Sequence, residues 1–188
     1  MKLLVSIIMM FAGVILHAGE YYIPEVGRSV KPRMKVVQTE QRHGYECRYV
    51  EFDVEKGERI SAYLLVPDGT SRRSRKPAVV MLHDHGARFD IGKEKLVRPM
   101  VSMLPGGSED HIARSAQQWI DKNFDGVYFA DSLASLGYVV LVADALYWGE
   151  RSSVDAQRWS ELTYGQFDDD KDAARARKQE IKRLKNVV

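Results

Sequence analysis

The stretch Pro77-Ala-Val-Val-Met-Leu82, running directly into His83-Asp84-His85-Gly86, decides how the rest of the chain is read. Six apolar residues without a charge, closed by a polar turn with glycine, predict a strand buried on both faces inside a parallel sheet. Tyr138 to Ala143, reading Tyr-Val-Val-Leu-Val-Ala, is a second run of the same kind. Between them Phe129, Leu133 and Leu136 recur at i, i+4 and i+7, which is one face of a helix, and Gly137 supplies its stop. Strand, crossover helix and strand in this order form the unit of a parallel α/β sheet. A further helix is predicted over His111 to Ile120, with Ser108 as N-cap, Glu109 and Asp110 in its first turn, and Ile112, Ala116 and Trp119 on its buried face.

Upstream, Tyr45 to Val54 and Ile60 to Val66 read as two strands joined at Glu55-Lys56-Gly57-Glu58, a hairpin with glycine available for a positive φ. Ile60, Ala62, Leu64 and Val66 alternate cleanly. The first strand changes phase between Tyr49 and Val50, which implies either a bulge or burial on both faces. Thr70 to Lys76 is basic but has no interleaved aromatic residue, so it reads as a solvated loop. Downstream, Asp168 to Lys185 is helical by propensity, with a thin apolar stripe of Ala173, Ala174, Ile181 and Leu184.

Lys2, the apolar run Leu3 to Leu16 and the small pair Ala18-Gly19 match a secretory leader, too short to span a bilayer. The expected organisation is a signal peptide at 1–18, a polar lead-in at 19–44 and the α/β region at 45–188. An exported protein, periplasmic or extracellular, with no membrane contact after cleavage is the expectation. The 28 Lys and Arg against 26 Asp and Glu give a formal net charge of +2, and no nucleic-acid partner is expected. Cys47 is the single cysteine, so an internal disulfide is impossible. With no partner pattern around it, it reads as a small buried residue.

His83-Asp84-His85-Gly86, then Phe89 to Lys95 with its Gly92-Lys93-Glu94-Lys95-Leu96, then Gly137 to Asp144 and Trp148-Gly149-Glu150-Arg151 together resemble the N-terminal part of an α/β-hydrolase. The pattern is most similar to the dienelactone hydrolase-like and acetyl xylan esterase-like branch. The resemblance spans Tyr45 to about Arg151 and implies an antiparallel hairpin, then parallel strands with a crossover helix, lacking the C-terminal strands of the family. It implies a serine hydrolase acting on carboxylic esters, glycan acetyl esters among them, and no cofactor. The family needs Gly-x-Ser-x-Gly followed by an acid and a histidine. Ser132 stands in Ala-Asp-Ser-Leu-Ala and Ser152 follows Glu150-Arg151, so neither has the elbow's glycines. No member of the triad is expected in this chain, and alone it is expected to be inactive.

The resemblance places an oxyanion-hole donor, a backbone N–H, at His85 or Gly86. It makes His83 and Asp144 structural residues of the turns after the two strands. A simpler reading has His83 and His85 only shaping a turn. A rival chemistry takes His83 and His85 as metal ligands, completed by His43, His111 or Asp144, but no ligand spacing supports it. Trp119, Tyr147, Trp148 and Trp159 read as core or rim packing more simply than as a carbohydrate platform. In the family the strand Pro77 to Leu82 has neighbours on both sides, and one of them is absent here. Its exposed edge is therefore expected to aggregate or to accept a complementing chain. A noncatalytic α/β module that binds a partner through this edge is the alternative function.

Overall fold

A computed structural model describes residues 33–55, 58–104 and 109–188. They form a mixed α/β structure. Five strands, β1 (Met34–Arg42), β2 (Tyr45–Glu55), β3 (Glu58–Pro67), β4 (Ala78–Met81) and β5 (Val139–Ala143), lie in the order β1-β2-β3-β5-β4. All neighbours are antiparallel except β4 and β5, which are parallel and joined through a crossover. The helices are α1 (Glu109–Phe124), α2 (Phe129–Ser135), α3 (Val154–Tyr164) and α4 (Lys171–Leu184). The predicted leader, Ser108 and the hairpin tip at Lys56-Gly57 lie outside the described residues. Among the described residues no helix is long and apolar enough to cross a membrane.

The crossover forms as its residues dictate. Helix α2 ends where Gly137 takes φ +96°, with Gly137 N–H donating to Ala134 O (3.0 Å) and Tyr138 N–H to Leu133 O (3.1 Å). That pair of hydrogen bonds is a Schellman stop, and it delivers the chain straight into β5. The buried face of α2 differs from the predicted one. Ala130 and Ala134 are fully buried, Leu133 packs beside them, and Leu136 is exposed. Small residues let the helix lie close to the sheet, so Phe129 turns aside to meet the ring of Phe124 edge-on at 5.0 Å. On α1, Ala116 is buried as expected, but Ser115 and Ile120 complete the buried face while Ile112 and Trp119 are half-buried.

The core lies on one face of the sheet, where Cys47, Tyr49, Tyr63, Leu65, Val140 and Val142 meet Val97, Met100, Ala130 and Ala134. Each fully buried aliphatic side chain there is worth about 1.5–3 kcal/mol. On β3 the deeper side is thus that of Tyr63 and Leu65, opposite the predicted stripe, of which Leu64 and Val66 are only half-buried. The expected burial of β4 and β5 on both faces is also corrected. In β5 only Val140 and Val142 are buried, and in β4 no residue is. The second face of these two strands is incompletely covered, and β4 forms the edge of the sheet.

The lead-in at 19–44 is corrected as well, since its last part is β1. Its polar side chains hid it, because an edge strand needs only one apolar contact in two. Val37 bulges from β1 opposite Tyr49 and Val50. The phase change on β2 accordingly reflects burial of Tyr49 and Val50 on opposite faces, and the bulge belongs to the partner strand. Helix α3 was not foreseen, and starts at Ser153, whose hydroxyl accepts from Ala156 N–H at 3.1 Å. Helix α4 is capped in the same way by Asp170, and Leu184 is its one fully buried residue.

Candidate functional site

The parallel pair brings the chain after β4 and the chain after β5 to the same end of the sheet, where open α/β sheets bind their ligands. His83 joins them. Its Nδ1 lies 2.9 Å from Asp84 O, and Ala145 N–H donates to its Nε2 at 3.0 Å. Nε2 therefore carries a lone pair and Nδ1 the proton, which makes the ring neutral. Burial, the largest influence, lowers its pKa in agreement with that.

Both His83 nitrogens are thereby used, and no lone pair is left for a metal. His111 pairs with Asp90 at 3.1 Å, Asp144 with Lys93, and His43 sits in the β1–β2 turn at the other end of the sheet. The metal reading fails on this donor set. Among the described residues no group of three or more His, Cys, Asp or Glu side chains is placed to hold a metal ion.

Asp144 is the anchor of the loop after β5. Its Oδ1 accepts from Lys93 N–H at 2.7 Å, and its Oδ2 from Lys93 Nζ at 2.9 Å and Glu150 N–H at 3.1 Å. Both oxygens are engaged by donors, which suits an anchor of the loop. Lys93 is fully buried and also reaches Glu150 at 2.7 Å and Glu94 at 3.1 Å. Burial alone would lower its pKa, but the three carboxylates outweigh that and hold it well above the ordinary value. Glu150 further accepts from Tyr49 OH and from Ser61 Oγ (2.8 Å), and Lys93 with these keeps its carboxyl below the usual range although partial burial opposes that. Glu94 goes the other way, because burial and Asp144 prevail over Lys93 and raise it. The cluster ties β2, β3 and the loops after β4 and β5 together. Sequence reasoning missed it, since charged residues read as solvated; the one signal was their place inside Ile91 to Val97, an otherwise apolar stretch.

His85 and Gly86 form the exposed tip of the turn after β4. Gly86 has φ +48°, and a Cβ there would stand 2.3 Å from the Trp119 ring, so only glycine fits. The carbonyls of Asp84 and His85 accept from Lys95 Nζ at 3.2 and 3.1 Å, and His85 O also from Trp148 Nε1 at 2.8 Å. In a planar trans peptide the N–H points opposite to the C=O. The N–H groups of His85 and Gly86 therefore face away from Lys95, and neither has an acceptor among the described residues. Two adjacent free N–H groups at the end of a parallel strand can bind a developing oxyanion.

The aromatic residues serve this turn. Trp148 packs on His85 (centroids 4.8 Å) and Phe89 (5.3 Å), Trp159 on Phe89 (5.9 Å), and Trp119 against Gly86. Tyr147 alone of the four is exposed. Ser132 lies within α2 with its hydroxyl on Tyr128 O at 3.1 Å, and Ser152 lies between a 3-10 turn and α3. Cys47 is fully buried, and burial pushes its thiol up to about 12, which leaves it inert.

No protein-family model and no curated protein sequence matches the chain. Its structure is similar to the crystal structure of a candidate acetyl xylan esterase from Bacteroides fragilis NCTC 9343, with a TM-score of 0.48 and 18% identity over 68% of this chain. The chain spans 28% of that protein's length.

Proposed function

We propose that this chain supplies the oxyanion-binding turn and the first strands of an exported serine hydrolase that acts on carboxylic esters, glycan acetyl esters among them. The observation that carries the reading is the pair of free N–H groups at His85 and Gly86, held at the end of β4 beside parallel β5. A fixed pair of donors stabilises charge that appears only in the transition state, worth about 2.7–4 kcal/mol per donor in acyl transfer. The nucleophile, acid and base would come from chain that pairs with the free edge of β4, and without them this chain is inactive.

A fluorophosphonate probe tests the reading. The isolated chain is expected to stay unlabelled. The product of the gene read beyond Val188, if it encodes Gly-x-Ser-x-Gly, should label stoichiometrically and hydrolyse a 4-nitrophenyl ester. Replacing His85, whose φ is not positive, by proline in that product deletes one N–H while Gly86 keeps its place, and should cut kcat about 100-fold or more. Labelling of the isolated chain, or a genuine stop with no such sequence beyond it, would defeat the reading. In the latter case the free edge of β4 favours the second reading, a noncatalytic module that binds a partner strand.

A further inference from the structure

Lys93 and Lys95 stand two residues apart, and both are fully buried. Lys93 sits among three carboxylates. Lys95 has none within hydrogen-bonding distance, since Asp84 Oδ1 is 3.8 Å away. Its ammonium meets two backbone carbonyls and the faces of Trp119 (4.9 Å) and Trp148 (5.8 Å). A buried cation without a bonded counterion is costly, and an apolar side chain of the same length would pack there at less cost. The two carbonyls it holds belong to the two peptides whose N–H groups form the tip of the turn.

We propose that Lys95 is the positioning residue of this turn, its ammonium holding the Asp84 and His85 carbonyls inward so that the His85 and Gly86 N–H groups stay aimed outward as polarised donors. This rests on the oxyanion reading above and assigns its determinant. The physical link is peptide planarity together with hydrogen-bond polarisation. A cation on the carbonyl oxygen withdraws electron density through the amide and strengthens the N–H on the far side. Lys95 touches no substrate in this scheme and acts through the two peptides.

The proposal carries a pH signature. The charged and titratable groups facing Lys95 are Asp84 and His83 in the turn, Arg88 and Asp90 in the loop that follows, and Asp144 at the end of β5. Burial outweighs the attraction of the three carboxylates and lowers the Lys95 pKa to about 8. The positive charge on the turn is therefore lost progressively as pH rises through about 8.

Multinuclear NMR of the labelled chain tests this, by magic-angle spinning if the chain associates. The carbonyl carbons of Asp84 and His85 and the amide nitrogens of His85 and Gly86 should titrate together with a midpoint near 8. In Lys95→Met that titration should vanish, and amide order parameters at His85 and Gly86 should fall from about 0.85 to below about 0.6 while β4 and β5 keep theirs. Lys95→Arg should restore the order without the titration. Wild-type order at the turn in Lys95→Met, or an equal loss across β4 and β5, would overturn the proposal. If Lys95→Met does not fold, Lys95→Leu takes its place and is judged by the same order parameters at His85 and Gly86 against β4 and β5. Because these readouts need no nucleophile, the role of Lys95 and the hydrolase reading can fail separately.

Discussion

The two edges of the sheet are built differently. Strand β1 carries Lys35, Gln38, Thr39, Glu40, Gln41 and Arg42, and it is bulged at Val37. Its last residue is pinned, since Arg42 pairs with Asp131 at 2.8 Å and donates to Arg98 O at 3.0 Å. Strand β4 is Ala-Val-Val-Met, without charge or bulge, and Val80 and Leu82 are 70% and 80% exposed. Charges and bulges are the devices by which a strand refuses a further partner. One edge is charged and bulged, the other apolar and regular, and the outward turn at His85-Gly86 follows directly on the apolar one.

The largest expected effect comes from giving β4 the character of β1. The chain should self-associate at micromolar concentration, and Val80→Lys should reduce the associated fraction at least tenfold in sedimentation velocity. Thr39→Lys on β1 should change nothing. A wild-type chain that sediments as a monomer, or equal effects at the two edges, would abolish the contrast.

A second asymmetry concerns what holds each edge in place. Lys93→Met leaves the buried Asp144 and Glu94 without their cation and should cost about 3–5 kcal/mol in chemical denaturation. Arg42→Met should cost less, about 1–3 kcal/mol, because Asp131 keeps donors in Tyr45 OH at 2.6 Å and Arg98 N–H at 2.9 Å. The reverse order would mean that the polar edge carries more of the stability than the charge cluster does.

The same difference between the edges governed what could be read in advance. Strands β4 and β5 announced themselves as apolar runs, and Gly137 marked the end of the crossover because only a positive φ serves there. Strand β1 was invisible, since a half-solvated edge has no clear period. The helix faces were misjudged at Phe129 and Leu136 because periodicity weights large side chains, whereas close helix–sheet packing selected Ala130 and Ala134. At the site, His83, His85, Gly86 and Asp144 were named through the resemblance alone. Lys93, Lys95 and Glu150 were not, because a charge that is neutralised or bonded only after folding leaves no mark in composition.

The smallest effect separates His83 from the residues it ties together. Neutral His83 accepts the Ala145 N–H and binds its proton less readily in the folded chain than at the unfolded value of 6.5. Its contribution is therefore complete above pH 6.5 and declines as pH falls below it towards the depressed folded value, where proton uptake by the unfolded chain is favoured. Glutamine at this position offers an acceptor that does not titrate. Compared with the wild type, His83→Gln should flatten the pH dependence of unfolding free energy below pH 6.5 by at most about 1.4 kcal/mol per pH unit, with little change at pH 8. Because His83 is the link between the β4 edge and the loop after β5, the wild type should also associate more readily at pH 5 than at pH 8, and His83→Gln should not. Association that is independent of pH in both proteins would show that the edge stands by strand pairing alone and owes nothing to the histidine.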